Sequence, residues 1–273
     1  MQLLDLRFCR SLLFLPASNP RAIAKARELD ADMIILDLED SVRAEDKDEA
    51  RAAAVRAVAD GFGGRPVAIR INGVGHPHHG SDMIAVRGSG TSLLVLPKVE
   101  SVGDVTGTGA VSECEILAMI ETPRGVMSAA TIAERSAALI AGTNDLAATL
   151  GILPEAGRGG MSLALQHVVL AARAAGIAAF DGVHNRLESG AALTAEAEEG
   201  RAFGFDGKSV IHPSQIEAVN RVFSPAASQL RAAEALIAAA TGGAERHNGR
   251  MIEDMHVEQA RALLARSSRV RPD

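Results

Sequence analysis

Eight short apolar segments recur along this chain, each closed by polar or turn-forming residues, and that recurrence narrows the possible folds sharply. They are 11–17 (SLLFLPA), 33–39 (MIILDLE), 67–72 (VAIRIN), 92–98 (SLLVLPK), 115–121 (EILAMIE), 138–143 (ALIAGT), 178–183 (AAFDGV) and 208–213 (KSVIHP). Runs this short, without polar alternation, suit parallel strands covered on both faces. Helical patterns lie between them. Asn19 and Pro20 predict a helix start, with the helix running to Leu29. Residues 46–60 are Ala-rich and end at Gly61, 162–175 end at Gly176, and 194–202 end short of Gly204. Residues 101–109 contain three glycines, which predicts a short or irregular helix.

This alternation predicts an α/β fold, a (β/α)8 TIM barrel over residues 1–223. An open nucleotide-binding sheet would carry a glycine-rich fingerprint after its first strand, where this chain reads SNPRA. Residues 224–273 do not continue the repeat. Helices are expected at 226–240 and 255–266 around a glycine-containing hinge, a C-terminal helical arm able to pack on a neighbouring subunit.

Composition removes several function classes. The 273 residues carry a formal net charge of −6 and neither Trp nor Tyr, so nucleic-acid binding by phosphate neutralisation or base stacking is not expected. No run reaches the ~18 apolar residues of a membrane span, and Pro16 interrupts the first run, which reads as a strand rather than a leader. Cys9 and Cys114, two isolated thiols, point to a reduced, cytoplasmic protein.

The candidate chemistry gathers where the strands should end. Asp37, Glu39 and Asp40 close the second segment, Arg70 and Asn72 lie in the third, and Lys98 and Glu100 follow the fourth. Glu121 closes the fifth, and Asn144 with Asp145 follow the sixth. In a barrel these positions converge on the C-terminal face, where active sites are built. Glu121 and Asp145 form an oxygen-only pair suited to Mg2+, and the competing reading on spacing alone is a pair of rim salt bridges. Arg70, inside an apolar strand, needs a partner. It can grip a substrate carboxylate and stabilise an enolate oxygen, or sit in a buried ion pair with Asp37 or Glu39. Asp37 and Glu39 are read as residues supporting the site, with Lys47 as their counter-ion. Asn144 is a candidate substrate-binding residue.

Other polar features receive plainer readings. His76, His78 and His79 are expected on a mobile, solvated loop, and Gly157, Gly159 and Gly160 around Arg158 on a flexible substrate-facing loop. Arg21 and Lys25 can meet phosphates or simply line a solvated helix face. His184 and His212 close the last two strands, with His212 read as structural.

The motifs SLLFLPASNPRAIAKA, ADMIILDLEDSVRAEDKDEAR, RIN at 70–72, LPKVE at 96–100, IETPRG at 120–125, GTNDLAATLG at 142–151 and GFDGKSVIHPSQI at 204–216 run in order over nearly the whole chain. Together they resemble the citrate lyase β-subunit-like family, with its malyl-, citramalyl- and citryl-CoA lyase relatives in the 2-oxo-acid aldolase superfamily. The resemblance implies Mg2+ held by Glu121 and Asp145, substrate bound by Arg70, coenzyme A as part of the substrate, and a homotrimer or hexamer. It also implies an acidic residue reaching a neighbour's site from the arm. The usual Met-Ile/Val-Asp reads Met251-Ile252-Glu253 here, followed by Asp254, so Glu253 becomes the candidate general acid, the alternatives being that Asp254 substitutes for it or that the chemistry differs. The implied activity is carbon–carbon cleavage of a 3-hydroxyacyl-CoA thioester into a 2-oxo acid and acetyl-CoA. The alternatives are an aldolase of free hydroxy-oxo acids and a non-catalytic subunit of a citrate lyase-like complex.

Overall fold

A computed structural model describes residues 5–153, 156–240, 243, 245–247 and 250–269. Eight parallel strands close into one barrel: β1 Ser11–Pro16, β2 Met33–Asp37, β3 Val67–Arg70, β4 Leu93–Leu96, β5 Glu115–Ile120, β6 Ala138–Ala141, β7 Ala178–Asp181 and β8 Gly207–Val210. Each lies within or beside its predicted segment and stops earlier, so the terminal polar residues stand just beyond the sheet. Closure is made by β1 on β8, with Ser11 opposite Lys208.

Around the barrel run α1 Pro20–Ala26, α2 Lys47–Asp60, α3 His79–Ser89, α4 Val102–Ser112, α5 Pro123–Ala133, α6 Thr143–Leu150, α7 Ser162–Ala174 and α8 Ala191–Phe203. Two corrections concern these helices. The glycine-bearing segment forms a regular helix, α4, because Ser101 and Asp104 cap its first turn reciprocally and Val105 and Thr108 are buried. His76 is exposed in the loop before α3, as expected, but His78 and His79 are held in place. His79 opens α3 and its ring meets the Asn72 carbonyl at 2.8 Å, while His78 lies 3.0 Å from the Arg51 guanidinium.

The barrel interior follows the two-residue period of the strands. Leu12 and Phe14, Met33 and Ile35, Leu93 and Val95, Leu117 and Met119, and Phe180 form one buried cluster. Two residues beyond Ile35, Ala68 and Met119 come Asp37, Arg70 and Glu121. The row that fills the barrel thus turns polar at its mouth.

The chain divides into two compact units, Met1–Asn220 and Arg221–Asp273, and the boundary falls within α9 Ile216–Phe223. In the second unit α10 Ala227–Ala239 packs along α11 Asp254–Arg269, and β9 Glu245–His247 pairs antiparallel with β10 Arg250–Ile252. No described helix is long and apolar enough to cross a membrane.

Candidate active site

At the C-terminal mouth of the barrel is a cavity of about 410 Å3. Its floor and walls include Phe14, Met119, Val183 and Ile211, and its polar lining includes Asp37, Arg70, Glu121, Asn144 and Asp145. A few convergent polar groups in an otherwise apolar hollow are the usual construction of a small-molecule site.

Strand register brings the first pair together. Asp37 and Arg70 are direct partners across β2 and β3, and their side chains form a two-point ion pair, Nε to Oδ1 and Nη2 to Oδ2 both at 2.6 Å. Burial works against charge on Asp37, but the Arg70 hydrogen bonds and those from Ser41 and the Glu39 amide outweigh it and hold its carboxyl below the usual range. Arg70 also has Nη1 at 3.1 Å from Glu39 Oε2 and its guanidinium 5.4 Å from the Phe14 ring centre. The ion-pair and substrate-gripping readings of Arg70 are therefore compatible: its partners fix it beside the cavity.

Glu121 is placed by the turn from β5 into α5. Thr122 caps the helix, accepting from the Gly125 amide at 3.0 Å, and Pro123 occupies its first turn. Chain direction thus reverses immediately after Glu121. Gly142 makes the space it needs, since a Cβ there would fall 2.1 Å from Glu121 Oε2 and 2.4 Å from its Cβ. Burial, then the charges of Glu39 and Asp145, push the Glu121 carboxyl up to about 7. Asp145 sits in the first turn of α6, where the helix dipole favours an anion. Asn144, beside it, exchanges two hydrogen bonds with Asn185, at 3.0 and 2.7 Å.

Both carboxylates line one cavity, and the charge of Asp145 helps to raise the Glu121 carboxyl. This crowding of like charge is what a divalent cation relieves. Among the described residues no group of three or more His, Cys, Asp or Glu could hold a metal. A metal at the mouth would therefore take two protein carboxylates, leaving its other positions to water and substrate, which is the habit of Mg2+. The donor set fits that ion.

Lys98 was not singled out by sequence reasoning as a site residue beyond its place at a strand end. Its amide donates to Glu121 Oε1 at 2.7 Å and its Nζ to Glu39 Oε1 at 2.5 Å. Burial disfavours its charge, but Glu39, Asp40 and Glu121 raise its pKa overall. Lys47 is a correction. Its Nζ donates to the carbonyls of Leu38 (2.8 Å) and Glu39 (3.0 Å), so it fixes the backbone after β2 instead of neutralising the carboxylates. Asn72 is turned away, donating to Asp82 at 2.6 Å.

The Arg158 segment is not a flexible substrate-facing loop at its centre. Arg158 holds Asp181 of β7 at 2.7 and 3.0 Å. The Asp181 carboxylate also takes Lys208 of β8 at 2.8 Å, and Lys208 reaches Glu196 at 2.7 Å. Asp181 and Lys208 are fully buried. Their parity along the strands points them at α8, where Gly200 leaves room for Asp181. His184 meets Glu196 at 2.7 Å, His212 caps the turn after β8, and Arg21 and Lys25 are exposed on α1. Glu253 belongs to the second unit, exposed between β10 and α11, and its amide meets His256 at 3.0 Å.

A closed parallel barrel with two carboxylates and a tethered arginine lining the cavity at its C-terminal mouth defines an α/β-barrel of the small-molecule-binding class. The sequence matches the HpcH/HpaI aldolase/citrate lyase family over residues 10–213, and the chain belongs to that family. It is 38% identical over 272 residues to a (3S)-malyl-CoA thioesterase of Cereibacter sphaeroides, covering 96% of this chain and 95% of the relative. It is 31% identical over 255 residues to the human mitochondrial citramalyl-CoA lyase, covering 84% and 75%. Among solved structures it resembles CitE of Mycobacterium tuberculosis in complex with magnesium, acetoacetate and coenzyme A, with a TM-score of 0.83 and 32% identity over 96% of this chain and 100% of that one.

Proposed function

We propose that this protein is a magnesium-dependent carbon–carbon lyase that cleaves a malyl-, citramalyl- or citryl-type 3-hydroxyacyl-CoA thioester into a 2-oxo acid and acetyl-CoA. One observation carries the reading: Glu121 and Asp145 line the same cavity as an Arg70 already fixed by Asp37. The magnesium and coenzyme A of the M. tuberculosis structure supply the cofactor and carrier by likeness.

Magnesium, when bound by Glu121 and Asp145, supplies Lewis acidity toward the substrate's hydroxyl and carboxylate oxygens. Arg70 binds the anionic end of the substrate and offsets charge on the departing enolate oxygen. Asp37 and Glu39 keep its guanidinium oriented, so no reorganisation is needed as that charge develops. Phe14, Met119, Val183 and Ile211 limit water around the cleaving bond. Asn144 and Asn185 offer amide donors at the rim. Cleavage of the carbon–carbon bond releases the hydroxyl proton to solvent, and Glu253, from the 224–273 arm of a neighbouring chain in a trimer or hexamer, donates one proton to the terminal carbon of the acetyl-CoA enolate. Asp254 is the weaker choice for this role, because its Oδ1 already accepts from the Gly243 amide at 3.4 Å.

The 38% likeness to a malyl-CoA thioesterase favours one further reading, hydrolysis of the thioester in place of, or following, carbon–carbon cleavage. The test is a panel of acyl-CoA thioesters and free hydroxy acids, with 2-oxo acid and free thiol quantified separately. A lyase releases 2-oxo acid without thiol, and a thioesterase releases thiol. Glu121→Ala and Asp145→Ala should abolish either activity while circular dichroism stays unchanged. Turnover surviving in both variants after EDTA treatment would end the proposal.

A further inference from the structure

Lys98 touches the candidate metal site at both ends of the residue. Its backbone is left-handed, φ 53°, a region that residues with a Cβ rarely adopt. That turn aims its N–H at Glu121 Oε1, 2.7 Å away. The side chain folds back over the mouth, where Nζ lies 2.5 Å from Glu39 Oε1, 3.5 Å from Asp145 Oδ2 and 3.8 Å from Asp40 Oδ1. One ammonium therefore serves three carboxylates, while the two-point bond to Asp37 engages Arg70 on the inner side.

We infer that the Lys98 ammonium is a resident counter-ion of Asp145 that competes with a divalent cation for that member of the Glu121–Asp145 pair, so that metal and substrate load together. The inference rests on the magnesium reading above and adds to it a residue that controls when the metal enters. A fixed positive charge a few ångströms from an ion of charge two repels it strongly at the effective dielectric of a protein mouth, enough to shift affinity by about tenfold or more. The lysine stem is flexible and 44% exposed, so the ammonium can withdraw toward solvent. Withdrawal takes Lys98 from Asp145, while Glu39 keeps Arg70 at 3.1 Å; an incoming divalent cation takes the ammonium's place at Asp145, and the substrate's carboxylate offsets the displaced ammonium. Lys98 is a positioning residue here, since it acts on the ligands and not on the reacting bond.

The test is Mn2+ binding followed by electron paramagnetic resonance, with and without pyruvate as a 2-oxo-acid probe. The chains compared are the unaltered protein, Lys98→Met, Lys98→Gly, Lys98→Arg and Asp145→Ala. Lys98→Gly keeps the left-handed backbone and its N–H to Glu121 while deleting the charge. Without pyruvate, the Met and Gly variants should bind Mn2+ at least about tenfold more tightly than the unaltered protein, and the Arg variant should stay near it. Pyruvate should tighten binding most where Lys98 is present. Met and Gly variants that bind no more tightly overturn the inference, and the metal reading still stands if the unaltered protein binds Mn2+ and the Asp145→Ala variant does not. Mn2+ held by none of the chains, with or without pyruvate, overturns both.

Discussion

Glu121 carries the clearest residue-scale consequence. Burial, followed by the charge of Glu39, raises its pKa from 4.5 to about 7, with Asp145 adding to the shift and Lys98 opposing it. The fold therefore favours the neutral acid in metal-free protein. Its contribution is fully present below about pH 4.5 and is lost as pH rises through about 7. That loss is on the order of 3 kcal/mol at ~1.4 kcal/mol per unit. Denaturant unfolding of EDTA-treated protein at about pH 5 and about pH 8 should reveal it, and Glu121→Gln should flatten the slope. An equally steep slope in that variant would assign the effect elsewhere. The residues themselves were legible in the sequence, because charge beside apolar strands stands out. Their partners were not. Lys98 lies 59 positions from Glu39, and only strand order around the barrel brings them together. Lys47, near in sequence, looked like the natural counter-ion, yet it is spent on carbonyls.

At the scale of elements, α4 holds by its ends and its buried face and not by propensity. Gly107 has no heavy atom within 4 Å of where a Cβ would lie. Gly107→Ala should therefore stabilise the protein by about 0.5–1 kcal/mol, read as a higher melting temperature. A drop would mean that α4 is less regular than described. The same helix explains a misreading. Glycine content argued for irregularity, while the Ser101 cap and the buried Val105 and Thr108 decided the outcome. The strands were the most readable elements, since unbroken apolar runs between turn residues leave little choice in a barrel. Helix α3 was hidden because its start, HPHHG, carries no apolar period and resembles a loop. The two motif turns, IETPRG and GTNDL, were visible as strings. The physical reason for their glycines appears only when Gly142 is seen against Glu121.

For the whole molecule, Glu253 supplies the decisive assay. If it acts on a neighbour's cavity, Glu121→Ala and Glu253→Gln chains are each inactive alone. Mixed and reassembled, they form some sites with both residues intact. Activity should then return to a sizeable fraction of the unaltered protein, and sedimentation should report a trimer or hexamer. Mixtures as inactive as their components would confine Glu253 to another task. Barrel closure followed from counting strands, but assembly did not, because a single sequence records no partner surface. The arm's role was readable only through resemblance.

The charged fastening between Arg158, Asp181 and Lys208 has a practical corollary for recombining this chain with its relatives. Those three positions come from three different βα modules, so a crossover placed between residues 158 and 181, or between 181 and 208, would strand an ion in a dry interior unless the donor brings matching groups. Module swaps should keep the whole stretch from 158 to 208 as one cassette.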